Sequence, residues 1–594
     1  MDPASPGFIR VCTLGELRAS RRKVVSTPGG TVLIVADGDV VVALDNRCPH
    51  LGFPLHRGSI EDGILTCHWH HARFDLKSGC TFDLWADDVP VRAIRVADGQ
   101  VWVAAHPAPR DEALHWRRRL NDGLGHNIPL VIGKAVLGAS AAHIPAAVRD
   151  AVLFGARQRD RWGAGLTTLV ALANLQPVLV EDDRFLALFH GMSAVADDCE
   201  GQSPRRDVEP LAGRIPPAAL ARWLRQWIRV RHRTAADRTL RTAIAAGATP
   251  SWLAATLLTA VTDRAYADGG HALDFLNKAF EALDLIGWQH AAAVLPAVVP
   301  VLTDSRGREE VDSWRHPVDL VALAEAAFLE LPDALAAGRP RRGHWWEHTA
   351  LGQAVLSEDP RAILKALLAA VRDGASSANI ARAVAFAAAL RIAHFSTSNE
   401  HGDWESAHHT FSYAHAAFRL IERATREADD PQVEADGLRA ALHGALAVYH
   451  NRYLNVPAAR LLRDEDLAGL PLAVGDLRFA FLDACDRQQQ VGPAARLAAR
   501  HLAVGHPGAD LVATLGHALL REDASFHMVQ NLEAAGQQYR TWQGQPEAAP
   551  ILIAAARYLA AHTPTARARH QTAWIARRLM KGGAVHEDLD SADA

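Results

Sequence analysis

Two hydrophobic patterns divide the chain, and the change between them falls near residue 105. Before it, short β-branched runs alternate with Gly, Asp and Pro, as in TVLIVADGDVVVALD at 31–45 and VPVRAIRVADGQVWVAA at 89–105. Such runs predict strands, and the Asp-Gly pairs within them predict tight turns. The sequence therefore predicts a small all-β domain over residues 1–106.

Hydrophobic positions repeat with helical periodicity from residue 114 to about residue 580, as in SWLAATLLTAVTDRAY at 251–266. Pro and Gly interrupt these segments at helical lengths, which predicts helices joined by short loops. HPAPRDEA at 106–113 is predicted to be a linker because its prolines break any regular ladder. We therefore expect a multidomain protein in which a large all-α domain, 114–580, follows the β domain, and residues 581–594 form a disordered acidic tail.

Composition excludes several classes of protein. A chain of 594 residues exceeds one ordinary core, and 49% hydrophobic with 22% charged residues is typical of a folded globular protein. The formal net charge of -4 provides no basic surface for nucleic acid and no polybasic segment for a membrane. No export signal or membrane-spanning run is visible, and the six cysteines are scattered. We therefore expect a cytoplasmic protein, and its richness in Arg and Ala is typical of a high-GC bacterial genome.

Four side chains that can bind a metal stand in two closely spaced pairs within the β domain. The first pair is Cys48-Pro-His50 and the second is Cys67-His-Trp-His70, with residues 51–66 between them. These spacings place each pair on one tight loop, so that two loops can hold a metal group from opposite sides. A structural zinc site uses the same ligand types. The C-x-H spacing, the β-rich surroundings and the Gly-ended turn RFDLKSG downstream argue against zinc.

This pattern resembles the Rieske ferredoxins and the Rieske domains of ring-hydroxylating oxygenases, over roughly residues 7–105. The resemblance implies a [2Fe–2S] cluster in which Cys48 and Cys67 bind one iron and His50 and His70 bind the other. Such a cluster passes single electrons and carries out no bond chemistry itself. The resemblance therefore implies electron transfer, and any reaction has to take place elsewhere.

The chain departs from the respiratory Rieske proteins at positions that affect the potential. Phe53 and Trp69 stand where those proteins carry a pair of disulfide-forming cysteines, and Ala72 and Phe74 stand where hydroxyl groups donate to the cluster sulfurs. Fewer donors to the reduced, more negative cluster favour a lower potential. We therefore expect the low-potential ferredoxin and oxygenase type, although that type usually has Gly where this chain has His71.

The helical region carries no recognised motif. It lacks the D/E-x-x-H-x-x-x-x-H helix that holds the catalytic iron of Rieske oxygenases, and it lacks a G-x-G-x-x-G sequence after a strand. We therefore expect electrons to come from an external ferredoxin or reductase. Glu405-x-x-His408 has the spacing found in helical di-iron sites, but those sites use the motif twice and residues 114–580 contain no second copy.

Five histidines of the helical region stand out by their setting. Some interrupt apolar runs, and others belong to polar faces such as the stripe formed by positions 271, 274, 278 and 281. A polar helix face is more often solvated, and a lone buried histidine is more often a core group than a ligand. The candidate ligands or acid–base residues are His190, His271, His409, His443 and His527.

Two functions fit these observations. In the first, the chain is an oxidoreductase whose Rieske cluster delivers electrons to a site in the helical domain, where O2 and a small organic substrate meet. That site would hold a second centre, either non-haem iron or haem, unless the chain is a cofactor-free oxidase. In the second, the helical domain is a scaffold for a partner, and the cluster exchanges electrons with that partner or senses redox state. Iron in excess of the cluster's own would favour the first.

Overall fold

The computed structural model describes residues 7–427, 430–583 and 585. The chain forms two compact units. The first extends up to Ala147 and includes the residues from Arg569 onward, and the second extends from Val148 to Ala568. Among the helices that the structure describes, none has the length and apolar character needed to cross a membrane.

The β-strands lie in the first unit and pair in antiparallel sheets. Within the described residues the sheets have the orders β1-β9-β8, β2-β3-β4 and β5-β6-β7. The Asp98-Gly99 pair joins β8 to β9, and both residues have positive φ, 50° and 70°, as a type I′ turn requires. The strands are β1 (Phe8–Thr13), β2 (Arg22–Thr27), β3 (Gly30–Asp37), β4 (Val40–Asp45), β5 (Ser59–Glu61), β6 (Ile64–Thr66), β7 (Arg73–Asp75), β8 (Ile94–Ala97) and β9 (Gln100–Ala104).

The small sheet β5-β6-β7 anchors the loops that carry the predicted metal ligands. Residues 67–72 connect β6 to β7, and residues 46–54 follow β4. Leu65 and Phe74 pair across β6 and β7, are fully buried, and share one apolar core with the cysteines of both loops. Because apolar burial contributes roughly 25 cal/mol per Å2, this core holds both loops in place.

The helices follow from the predicted amphipathic segments. Asp111 caps α2 by accepting from the Leu114 N–H, and Pro129 opens α3. The helices are α1 (Leu14–Ser20), α2 (Glu112–Gly125), α3 (Pro129–Gly138), α4 (Ile144–Gln158), α5 (Ala164–Leu175), α6 (Glu181–Cys199), α7 (Pro217–Arg229), α8 (Arg233–Ala245), α9 (Pro250–Val261), α10 (His271–Ile286), α11 (Ala291–Val294), α12 (Val299–Asp304), α13 (Leu320–Gly338), α14 (His348–Val355), α15 (Pro360–Arg372), α16 (Ser377–Ala393), α17 (His401–Ala424), α18 (Pro431–His450), α19 (Val474–Cys485), α20 (Val491–Ala503), α21 (Gly508–Leu520), α22 (Phe526–Thr541), α23 (Ala548–Ala561) and α24 (Ala568–Met580).

Helix α17 lies at the centre of the second unit, where it packs against α9, α10, α16, α18 and α22. The polar stripe of α10 faces this interior, so the expectation of a solvated face is wrong. Lys278 is 1% exposed and pairs with Glu281 at 2.7 Å and with Glu533 of α22 at 2.5 Å. These carboxylates replace water as partners of the ammonium group, which is why charged residues can be buried here.

The predicted fold class is confirmed: a small β domain is followed by a large helical region. The unit that contains the sheets continues through α2 and α3 to Ala147. The domain limits at 106 and 114 stay a prediction. Of the predicted tail 581–594, positions 584 and 586–594 lie outside the described residues.

Candidate functional site

The two metal-binding loops of the β domain share one backbone design. In the first loop, the Cys48 N–H donates to the carbonyl five residues later, and the Cys48 carbonyl accepts from the N–H four residues later, both at 2.8 Å. In the second loop, Cys67 makes the same two bonds at 2.8 and 2.9 Å. Each cysteine therefore opens an equivalent tight turn.

The fourth residue after each cysteine has a positive φ, +89° at Gly52 and +62° at His71. Glycine adopts this conformation freely, whereas another residue pays about 1–2 kcal/mol for it. The turn geometry explains why Gly is usual at the position of His71. Here the Cys67 hydrogen bonds and the pairing of β6 with β7 hold His71 in the strained conformation.

The four predicted ligands converge at these turns. The thiols of Cys48 and Cys67 are hydrogen-bonded to each other and buried. The rings of His50 and His70 meet edge to face with their centroids 4.9 Å apart, and His70 is exposed at the surface. Two thiols in the interior and two imidazoles nearer the surface form the ligand set of a Rieske cluster, so these residues fit that group.

The local electrostatics favour the metal-binding form of Cys67 and of His50, whereas the hydrogen bond to Cys67 and burial raise the pKa of the Cys48 thiol. The hydrogen bond from Cys48 lowers the pKa of the Cys67 thiol to about 6, which favours the thiolate. Burial, reinforced by the neighbouring His70 and Lys134, lowers the pKa of His50 to about 4, so its imidazole is neutral at pH 7. Thiolate and neutral imidazole are the forms that coordinate a metal.

The surroundings of the loops are apolar at the positions that distinguish the respiratory proteins. Ala72 and Phe74 are fully buried in the core that contains both cysteines. Phe53 and Trp69 pack against this core, with their ring centroids 6.0 Å apart. These four side chains contribute neither a hydroxyl donor nor a disulfide.

The midpoint potential of the cluster is therefore expected near the low end of the Rieske range, at about -150 mV. Spectroelectrochemical titration of the purified protein measures it. A midpoint above about +200 mV would place the protein with the respiratory members and contradict the argument from missing donors.

A second constellation lies in the helical unit, where His271, His409 and His527 form a three-histidine site. One ligand atom from each ring lies within 4.8 Å of the others. The Nε2 atoms of His409 and His527 are 3.0 Å apart. The ring centroid of His271 lies 4.6 Å from that of His409 and 5.7 Å from that of His527. Helices α10, α17 and α22 each supply one of these residues.

One carboxylate is hydrogen-bonded to a ring of this site, and a second carboxylate lies near another ring. Nδ1 of His527 lies 3.2 Å from Oε1 of Glu405, and Nδ1 of His271 lies 3.8 Å from Oδ2 of Asp274. The Gln530 amide donates to Asp274 at 2.6 Å and holds that carboxylate in place. A carboxylate on Nδ1 keeps the proton there and leaves Nε2 free for a metal, as in many metalloenzymes.

Burial depresses the pKa of two of the three rings, and the site is partly apolar. Burial, together with the neighbouring His271 and His527, lowers the pKa of His409 to about 3, and burial also lowers the pKa of His527. Two aromatic side chains flank His271, with centroids 5.2 Å away for Phe275 and 5.7 Å away for Phe526. Neutral imidazoles beside apolar rings can hold a metal ion next to an organic molecule.

Further buried polar side chains lie next to this site. His408 is fully buried, and its ring centroid lies 5.2 Å from His527 and 5.3 Å from Tyr558. Its Nδ1 lies 3.3 Å from the amide nitrogen of Asn531. The helical spacing had already placed Glu405 and His408 on one face, whereas no sequence pattern indicated Tyr558.

The other two candidates are placed elsewhere in the helical unit. His190 is buried in α6 beside the ring of Phe189. His443 is buried in α18, with its ring edge-on to Phe328 at 5.3 Å. Among the described residues, neither belongs to the group whose ligand atoms converge. The structure thus brings three of the five predicted histidines together and leaves two apart.

Residues 7–90 match the family model of the Rieske [2Fe-2S] domain, and all four predicted cluster ligands fall within this segment. The resemblance drawn from the two Cys/His pairs is confirmed, as is the [2Fe–2S] cofactor. The match supports an iron–sulfur protein that transfers electrons.

The similarity to individual proteins also covers only a short stretch of the chain. Apoptosis-inducing factor 3 from Homo sapiens is 31% identical over 110 residues, which is 18% of each chain. Its counterpart from Mus musculus is 36% identical over 69 residues, 12% of this chain and 11% of the relative. The chain therefore spans less than a fifth of the length of these curated relatives.

Two solved structures are similar over the same small share of the chain. The complex of reduced oxygenase and oxidized ferredoxin in carbazole 1,9a-dioxygenase is 20% identical, with 17% of this chain and 97% of that chain covered and a TM-score of 0.17. The ferredoxin of carbazole 1,9a-dioxygenase from Nocardioides aromaticivorans IC177 is 29% identical, with 16% and 97% covered and a TM-score of 0.16.

Proposed function

We propose that this protein is an iron–sulfur oxidoreductase that uses electrons received through its Rieske centre to oxidise or oxygenate a small organic substrate at the three-histidine site. The observation that carries the proposal is the convergence of His271, His409 and His527 from three helices far apart in sequence. A metal ion bound by all three rings would account for this convergence, because imidazole is a common metal ligand.

The donor set supports a transition-metal ion. Imidazole suits iron, copper, zinc and nickel, and among these only a redox-active ion can accept the single electrons that a Rieske centre supplies. This excludes zinc, and among the redox-active ions we propose non-haem iron. Three imidazoles with ligand atoms within 4.8 Å suit one ion with open coordination positions better than a haem, which takes a single histidine on each face.

The side chains around the site have separate roles in this proposal. Glu405 would hold the proton on Nδ1 of His527, which would leave Nε2 of that ring free for a metal ion. Asp274 lies 3.8 Å from Nδ1 of His271 and would attract positive charge to that side of the ring. Phe275 and Phe526 provide apolar surface for the substrate. In an oxygenation, O2, two electrons and two protons convert a C–H group into C–OH and release one water molecule.

The electrons come from an external ferredoxin or reductase in this proposal, because the sequence has no nicotinamide or flavin motif. A cytoplasmic location fits the four cysteines outside the cluster, which are free thiols, since reducing compartments keep thiols reduced.

Reoxidation of the reduced protein by O2 tests the proposal. Wild type and His409→Ala are reduced anaerobically and mixed with O2 in a stopped-flow instrument, and the return of the cluster absorbance is followed. Because the variant lacks one ligand of the site that reacts with O2, its reoxidation is expected to be at least about tenfold slower.

His501→Ala is the matched control, since His501 is a buried histidine of α20 that bonds to the Pro507 carbonyl. It is expected to reoxidise at the wild-type rate. Equal rates in wild type and His409→Ala would refute the proposal and favour the scaffold function, in which the cluster serves a bound partner.

A further inference from the structure

A buried cation contacts the first cluster loop, and it comes from outside the segment that matches the Rieske family. Lys134 belongs to α3 and is 2% exposed. Its ammonium group donates to the Pro49 carbonyl and lies 3.4 Å from the His50 carbonyl. It therefore bonds directly to the backbone of a cluster ligand.

Asp87 holds this ammonium group in place. Its Oδ2 lies 3.0 Å from Lys134 Nζ, and its Oδ1 accepts from Nε of Arg119 at 2.8 Å. Asp87 and Arg119 are themselves buried, and the two cations lower the pKa of the Asp87 carboxyl despite its burial. A buried, doubly paired carboxylate fixes its partners far better than an exposed ion pair does.

Arg119 connects Asp87 to the segment that carries Trp85, whose ring contacts His50. Arg119, a residue of α2, donates to the carbonyls of Leu84 at 2.6 Å and of Ala86 at 3.0 Å. Between them, the Trp85 ring lies edge-on to the His50 ring at 4.6 Å. Helices α2 and α3 therefore position both the backbone and one ring neighbour of His50.

We propose that Lys134 is a positioning residue of the Rieske centre, which holds the Pro49–His50 backbone in place and raises the reduction potential through its positive charge. A cluster that gains an electron becomes more negative, so a nearby buried cation stabilises the reduced state. Asp87 opposes this effect and orients the cation. The electrostatic environment of the cluster is then set partly by the helices that follow the Rieske domain.

The two charges predict opposite shifts. Lys134→Met removes one of the two cations paired with Asp87 and lowers the net charge of this group, so the potential falls. Asp87→Asn removes the anion and keeps both cations, so the potential rises. Each shift is expected to change the equilibrium constant for reduction by at least about tenfold, which corresponds to 59 mV for one electron. Spectroelectrochemical titration of the cluster-containing protein measures both.

Three controls separate this role from general damage. Lys77→Met makes the same substitution at an exposed lysine of the same domain and should leave the potential unchanged. Lys134→Arg keeps the charge and should remain near wild type. The shifts should also persist at 1 M salt, because buried charges are poorly screened.

An unchanged potential in Lys134→Met with the cluster intact would overturn the proposal. Shifts of the same sign in Lys134→Met and Asp87→Asn would also overturn it. If Lys134→Met loses its cluster, Asp87→Asn and Lys134→Arg still decide the question, since a rise in the first and no change in the second are required.

Discussion

Replacing Cys67 with Ser is expected to abolish the Rieske centre. Purified wild type should be brown and, once reduced, should give a rhombic EPR signal with an average g below the free-electron value, as mixed His/Cys ligation of iron requires. A serine hydroxyl stays protonated near neutral pH and cannot replace the thiolate that the Cys48 hydrogen bond favours at this position. The variant should be colourless, and both optical absorption and EPR should show no signal.

Cys80→Ser provides the matched control, because Cys80 is an exposed thiol of the same domain. It should retain the full signal. A colourless wild-type protein with stoichiometric zinc, or a Cys67→Ser variant with an unchanged EPR spectrum, would contradict the assignment of the four ligands.

Replacing His527 with Ala is expected to abolish binding of the metal ion that we propose for the three-histidine site, while the Rieske signal is retained. The remaining His271 and His409 are too few to hold an ion firmly in competition with water. Glu405→Gln should have a graded effect, since it keeps the size of the side chain but weakens its hold on Nδ1 of His527. The expected loss of metal affinity is about 10–100-fold. Elemental analysis after dialysis, with the Rieske EPR signal as internal standard, measures both.

His501→Ala again serves as the control for the loss of a buried histidine and should keep wild-type metal content. Full metal content in His527→Ala would show that the convergence of the three rings has another cause. Equal losses in Glu405→Gln and His527→Ala would contradict the separate roles of ligand and supporting carboxylate.

The cluster ligands could be predicted from sequence because their geometry is local. Cys48 and His50 share one turn, and Cys67 and His70 share another, so residue type and spacing define the site almost completely. The backbone conformation of His71 could not be predicted, since a positive φ follows from the hydrogen bonds of the folded turn.

The sequence named the three histidines among five candidates, but it could not show which of the five converge, for a physical reason. The three histidines belong to three helices whose packing depends on the whole unit, and a single helix face supplies only neighbours at i, i+3 and i+4. From local sequence, His190 and His443 are as good candidates for metal ligands as His409, because His190 and His443 each interrupt an apolar run. Only tertiary packing separates the histidines that converge from those that do not.

The burial of the polar stripe of α10 could not be predicted from sequence either. Helical spacing placed His271, Lys278 and Glu281 on one face correctly, but exposure does not follow from polarity when partners lie on another helix. Glu533 of α22 completes the pairing of Lys278 and was invisible from α10 alone. Lys134 and Asp87 are a second such pair, since no local pattern joins α3 to the turn before β8.

The metal content of the wild-type protein tests the central claim most directly. We propose that this chain combines an iron–sulfur cluster with a second, three-histidine metal centre. Iron, copper and zinc are quantified by mass spectrometry on the same sample in which acid-labile sulfide is determined, and the sulfide counts the clusters. We predict one transition-metal ion per chain in addition to the cluster iron, and we expect that ion to be iron. Metal equal to the cluster iron alone in fully loaded protein would contradict it.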